Sequence, residues 1–139
     1  MNRIIVSGHE FIKTYKSNFY AKKYYKLYKQ ILPLRVNSSL LYVVGSLITD
    51  GFIDLRKREK SYHYNYIGYF SKYKEELRKF NAHFYKVFKI KGNIRDWGVR
   101  ESGESFGCII LNSAICRMLV LSGVPGGSKT NIRYGPPGG

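Results

Sequence analysis

The segment spanning residues 40–53, LLYVVGSLITDGFI, constrains this chain more than any other. It is apolar for about three turns of helix, and its small residues, Gly45 and Ser46, lie mid-way. It closes on Asp50-Gly51, which reads as a helix stop followed by a turn. Two readings follow. In one, a buried helix ends at an Asp-Gly that merely starts the next hairpin. In the other, the small residues let a second helix approach closely and Asp50 is presented for chemistry. An acid at a helix C-terminus faces the negative end of the macrodipole, at a cost of about 0.3–1 kcal/mol.

Charge narrows the choice of partner. The 139 residues hold 24 Lys+Arg against 9 Asp+Glu, a net charge of +15. Such an excess suits a polyanion: nucleic acid first, an acidic membrane surface second. Hydrophobic residues make up 44% of the chain, enough for a single-domain core and too many for a disordered tail. The 13 Tyr and 8 Phe add packing area, and tyrosine hydroxyls can reach phosphate. Cys108 and Cys116 form neither a disulfide framework nor a zinc motif and read as buried small residues. His9, His63 and His83 lack metal-ligand spacing. No apolar run is long enough to span a bilayer, and residues 1–20 lack the apolar core of a signal peptide. A soluble intracellular protein of cytoplasm or nucleoid, without a membrane partner, is expected.

Taken in order, residues 1–6 read as a short strand. Residues 11–32 read as one basic helix in which Lys13, Lys16, Lys22, Lys23, Lys26 and Lys29 interleave with tyrosines. It is either a solvated amphipathic helix packed through those tyrosines or an arm along DNA phosphates. Pro33 ends it, and Asn37 or Ser38 can cap the next helix. Residues 52–58 and 63–70 form a hairpin with Arg56, Lys57, Arg58 and Lys60 near its tip. A charged tip is often just solvated, but a two-stranded ribbon fits the major groove, where Arg and Lys reach guanine O6 and N7. Residues 73–88 are helical by the spacing of Leu77, Phe80, Phe84, Val87 and Phe88, with Glu75–Lys79 as an i, i+4 pair and Gly92 as the stop. Residues 93–100 and 105–111 make a second hairpin carrying Arg95, Trp97 and Arg100, with Arg95 and Trp97 two apart on one strand face. Asn112 or Ser113 caps a helix over 114–122, ended by Gly123 and Pro125. Residues 123–130, GVPGGSKT, imitate a phosphate-binding loop. They have Ser128 where the pattern needs glycine, and a Gly/Pro-rich tail follows instead of a helix. No nucleotide cofactor is expected.

From residue 38 the expected order is α-β-β-α-β-β-α. That order, with Val43-Val44-Gly45-Ser46-Leu47-Ile48-Thr49-Asp50-Gly51, resembles the LAGLIDADG homing endonucleases; Gly45, Asp50 and Gly51 fall on the motif's defining positions. The resemblance covers residues 38–131. It implies an α+β domain with a saddle-shaped antiparallel sheet, preceded by a basic helical extension over 1–37 and followed by a Gly/Pro-rich tail over 132–139. In that family the motif helices of two domains pack together over duplex DNA, and their acids bind divalent metal near the scissile phosphates. The resemblance therefore implies a site-specific, Mg²⁺- or Mn²⁺-dependent DNA endonuclease. Asp50 and Gly51 would stand at the metal and Lys72, after Tyr69-Phe70-Ser71, beside the attacking water. The two basic hairpins would contact double-stranded DNA. Leu41, Val44, Gly45 and Ile48 would form a homodimer seam. Mg²⁺ takes only one or two protein carboxylates, so one Asp per copy suffices. Only one motif is present, and 123–130 is similar to the junction that leads to a second copy in two-motif members. A homodimer or a part of a longer protein follows. The alternatives are a non-cleaving DNA-binding regulator on the same fold and a basic RNA-binding splicing cofactor.

Overall fold

The computed structural model describes residues 3–58, 61–100 and 103–126, with backbone only over 55–58, 61–65, 97–100 and 103–104. Its chain order is β1 (Ile4–Val6), α1 (Gly8–Lys13), α2 (Asn18–Tyr28), β2 (Leu34–Arg35), α3 (Ser38–Asp50), β3 (Gly51–Arg58), β4 (Ser61–Ser71), α4 (Lys74–Phe88), β5 (Asn93–Arg100), β6 (Gly103–Ile110) and α5 (Ser113–Leu121). From α3 onward the order is the expected α-β-β-α-β-β-α. The class is α+β with antiparallel sheets: a small β1–β2 pair and a four-stranded sheet ordered β3-β4-β6-β5.

Two hairpins make the larger sheet. Each is held by its own ladder, and they join where Ile67 pairs with Ile110 and Tyr69 with Cys108. Side chains alternate across a strand, so Ile53, Ile67, Tyr69, Cys108 and Ile110 share one face. That face is buried in a single core with Leu40, Val43 and Leu47 of α3, Leu77, Phe80, Phe84 and Phe88 of α4, and Ile115, Met118 and Leu119 of α5. Phe52, Tyr66 and Phe70 belong to the other parity, outside this core.

The helices form for local reasons. The side-chain oxygen of Asn37 accepts from Leu40 N (2.8 Å) and that of Asn112 from Ile115 N (2.8 Å), capping α3 and α5. The 11–32 segment is two helices rather than one. A capping box between Ser7 and Glu10 starts α1, and Ser17 caps a fresh start at α2. Between them Thr14 closes α1, its hydroxyl donating to Phe11 O (2.7 Å). Unbroken Tyr/Lys patterning hides a break made by hydroxyl side chains bonding to backbone.

This N-terminal unit is tied to α5. Phe11 is fully buried in the common core, edge-on to Tyr15 and Tyr28. Arg117 Nη1 donates to Thr14 O (2.6 Å) while its guanidinium lies over the Tyr15 ring (4.1 Å), and Asn112 Nδ2 donates to Tyr28 OH (2.7 Å).

Two details of α4 differ from expectation. Glu75 pairs with Arg78, and Lys79 instead sets its ammonium over the Tyr42 ring of α3, 5.3 Å from the centroid. The helix stops at Lys89, which takes a left-handed conformation (φ 65°). Gly92 serves packing: a Cβ there would lie 2.5 Å from Ile110 Cγ1 and 2.8 Å from Cys108 Sγ. Cys108 and Cys116 are buried free thiols, pushed up to about 11 and about 12 chiefly by burial. Among the described residues no helix is long and apolar enough to cross a membrane.

Candidate active site and nucleic-acid interface

Helix α3 delivers Asp50 to the edge of the larger sheet. Leu40, Val43 and Leu47 anchor the helix in the core, and its last residue, Asp50, is exposed. No turn intervenes before β3. Gly51 has extended backbone (φ −125°), its N–H bonds to Leu47 O, and it already pairs with Tyr69. The glycine is there for space. A Cβ would come within 2.6 Å of Leu47 Cδ2 and 2.7 Å of Gly68 O. The close passage of helix end against strand thus fixes where Asp50 emerges.

Lys72 emerges at the same end of the sheet. In the antiparallel register Gly51 lies opposite Tyr69, so the end of β4 runs alongside the end of α3. Ser71 makes the corner: its hydroxyl donates to Glu76 and accepts from Tyr73 N (3.0 Å), leaving Lys72 exposed between strand and helix. Beneath Asp50 sits Tyr69, buried and stacked on Phe80 at 4.6 Å. Its phenol is held above the usual range, first by burial, then by Tyr42 and by the carboxylates of Glu76 and Asp50; a hydrogen bond with Ser46 acts the other way. Next along α3, Tyr42 packs on His83 (4.3 Å), and His83 Nδ1 lies 2.9 Å from Ser39 Oγ. Burial, then Lys86 and Lys79, lower the His83 pKa.

Sequence reasoning does not bring Tyr69 of β4 or Glu76 of α4 near Asp50; these two meet it only through the fold, whereas Ser46 lies one turn earlier on α3. The donor set can be judged against a metal. Asp50 offers one exposed carboxylate, Glu76 is engaged by Ser71, and among the described residues no three His, Cys, Asp or Glu converge. One chain fits an ion that keeps most of its water shell and does not fit a closed cage.

Comparisons with protein-family models, curated proteins and solved structures found no match.

The four residues expected at a helix seam lie toward one side of α3. Leu41 is 54% and Ile48 47% exposed, Gly45 is exposed, and Val44 is half-buried. A Cβ on Gly45 would meet no atom within 4 Å. Nothing within the described chain requires glycine at that position. Thr49, on the same side, folds its hydroxyl back onto Gly45 O and Ser46 O (3.1 Å each), hiding its polar atom.

Of the expected DNA contacts, Arg95 is an exposed side chain of β5 opposite Gly107 of β6. It shares the sheet face away from the helices with Phe52, Tyr66 and Phe70. Phe52 stacks on Phe70 (5.6 Å) and meets Tyr66 edge-on (5.5 Å), an apolar floor two residues from Asp50. Arg56, Lys57 and Arg58 lie on β3 opposite His63, Tyr62 and Ser61, as backbone only. Trp97 and Arg100 are likewise backbone positions of β5. The ladder slips between Asp96 and Gly98, so simple alternation does not carry across Trp97. Lys60 and residues 127–139, including the second half of the GVPGGSKT segment, lie outside the described residues.

Proposed function

We propose that this chain is a homodimeric, divalent-metal-dependent endonuclease of duplex DNA, built as a LAGLIDADG-type domain with a saddle-shaped sheet. The observation that carries the reading is the position of Asp50. An exposed carboxylate ends a helix whose outer side is apolar and centred on Gly45, a glycine that no atom of the described residues crowds. Two copies packed through Leu41, Val44, Gly45 and Ile48 bring two Asp50 carboxylates together at the sheet edge. The two sheets then present their outer faces to one duplex.

The reaction is attack of water on a phosphodiester, forming one P–O bond as the bond to the leaving oxygen breaks. Divalent metal would supply positive charge to the attacking and leaving oxygens. Asp50 of each copy would hold that ion through its carboxylate, with the Gly51 backbone beside it. The Lys72 ammonium, at the same sheet end, donates to phosphate oxygens as charge develops or polarises the water. Neutral Tyr69 and the Ser46 hydroxyl fix the surroundings of Asp50. Arg95 and the basic β3–β4 hairpin steer and hold the duplex.

The test is a cleavage assay on a random duplex library with Mg²⁺ or with a chelator. Double-strand cuts at one long, nearly palindromic site, absent with chelator, are expected. A tightly bound duplex left intact would move the reading to a non-cleaving DNA-binding regulator. RNA binding without DNA binding would move it to a splicing cofactor.

A further inference from the structure

Helix α2 and the turn before it sort their aromatic residues into two groups. Tyr15, Tyr24 and Tyr28 are half-buried and pack on the core. Phe19 and Tyr20 are 70% and 49% exposed. The rings nevertheless form one line. The Arg117 guanidinium lies 4.1 Å over Tyr15, Tyr15 stacks on Tyr24 (5.4 Å, 11°), and Tyr24 stacks on Tyr20 (6.4 Å, 26°). Phe19 meets Tyr20 edge-on (5.3 Å, 75°). The inner end of this line is tied to α5 through Arg117. The outer end stops at two rings in solvent.

The cations around that outer end have no acid beside them in sequence. Residues 11–49 contain no Asp or Glu. Phe19, Lys22, Lys23 and Lys26 fall at i, i+3, i+4 and i+7, so they share one exposed side of the helix. Lys23 sets its ammonium 5.6 Å over the Tyr24 ring. Lys22 and Lys26 have no hydrogen bond or ion pair among the described residues. Like charges at i, i+4, as in Lys22 and Lys26, disfavour a helix. Part of the pattern has a simpler cause: a cation in the last turn offsets the helix dipole, which accounts for Lys26. It does not account for Lys22 and Lys23, which lie mid-helix.

Exposed rings beside self-repelling lysines select a ligand that is flat and apolar at one spacing and anionic at the next. An unpaired nucleic-acid strand has that alternation of base and phosphate. A duplex hides its base faces and leaves the rings unused. A helix lying on a membrane gathers its apolar residues on one side and its cations on the other. Here Phe19 stands among the lysines, while Ala21 and Tyr28, on the opposite side, face the protein.

We propose that the outer end of this aromatic line is a platform for a single, unpaired nucleic-acid strand. Bases stack on Phe19 and Tyr20, and phosphates lie along Lys22, Lys23 and Lys26. The line of rings back to Arg117 holds Tyr20 in place before the strand arrives. The platform uses none of the residues assigned to DNA cleavage, so it stands or falls independently of the endonuclease reading.

The test is an NMR titration of ¹⁵N-labelled protein with a thymidine octanucleotide and, separately, with an abasic octanucleotide of equal charge. Amides over residues 18–27 should shift with the thymidine strand, which should bind at least tenfold tighter than the abasic one. F19L/Y20L keeps apolar bulk and removes the rings. It should weaken binding at least tenfold and leave the slope of log K against log salt unchanged. K22Q/K26Q should instead flatten that slope, by about 0.7 for each phosphate no longer neutralised. K74Q/K91Q, which removes equal charge elsewhere, should leave the shifts over 18–27 in place. Phe19→Ala alone, at a mostly exposed position, should hold Tm and still weaken binding severalfold. The proposal is overturned if these amides stay still, if the abasic strand binds as tightly, or if F19L/Y20L binds like wild type. It is also overturned if phosphatidylglycerol vesicles shift the same amides and the thymidine strand does not.

Discussion

The inner and outer sides of α3 are both apolar, yet only one has an explanation inside the chain. Inward, Leu40, Val43 and Leu47 are fully buried. Outward, Leu41 and Ile48 stay about half exposed. The two glycines of the motif divide the same way. Gly51 is demanded by its own chain, where any side chain would strike Leu47 and the backbone of Gly68. Gly45 is not, because the space beside it is empty. A helix interior normally disfavours glycine by about 0.5–1 kcal/mol relative to alanine. A glycine at that cost, without a described neighbour that needs it, is what the proposed partner helix would use. The contrast separates what the segment does for folding from what the proposed dimer would ask of it.

The inner side should fail first. Leu47→Ala opens a cavity under the helix end and should cost about 2–5 kcal/mol by denaturant unfolding. A loss well under 1 kcal/mol would mean that α3 is not anchored there. Gly51→Ala should cost about 1–3 kcal/mol through overpacking. The two changes should be non-additive, since removing Leu47 Cδ2 relieves one of the two clashes while Gly68 O remains.

The outer side should respond with the opposite sign. In the isolated chain Gly45→Ala should stabilise by about 0.5–1 kcal/mol, because the new methyl meets nothing and the helix gains propensity. The same change should weaken self-association, and Gly45→Leu should abolish it by holding the partner helices apart. Analytical ultracentrifugation at matched concentrations reads this directly. A wild-type protein that stays monomeric with and without DNA would remove the dimer from the account. The smallest effect is expected at the β3–β4 hairpin. Alanine at Arg56, Lys57 and Arg58 together should flatten the salt dependence of duplex binding, by about one unit of slope for each phosphate that these side chains neutralise.

Much of this layout is legible in the sequence because it rests on local signals. The stripe Leu77, Phe80, Phe84 and Phe88 marks α4, and Asn112 before an apolar run marks the start of α5. Signals without a residue signature escape. Lys89 ends α4 in a conformation normally read from glycine, so the sequence points to Gly92 as the stop instead. The break between α1 and α2 depends on Ser17 and Thr14 bonding to nearby backbone, inside a pattern that otherwise continues as helix. Around the candidate site, Asp50, Gly51 and Lys72 are readable from a short motif and its downstream strand. Tyr69 and Glu76 are not, because their relation to Asp50 exists only after β4 and α4 dock against α3.

The most direct measurement pairs wild type with Asp50→Asn. The substitution keeps shape and removes one negative charge from the unfavourable end of the helix dipole, so Tm should hold or rise slightly, by the equivalent of about 0.3–1 kcal/mol. Metal-free affinity for duplex DNA should hold or rise, and Mg²⁺-dependent cutting should disappear. A variant that unfolds would contradict the account, and so would a wild type that binds a duplex tightly and never cuts it with Mg²⁺.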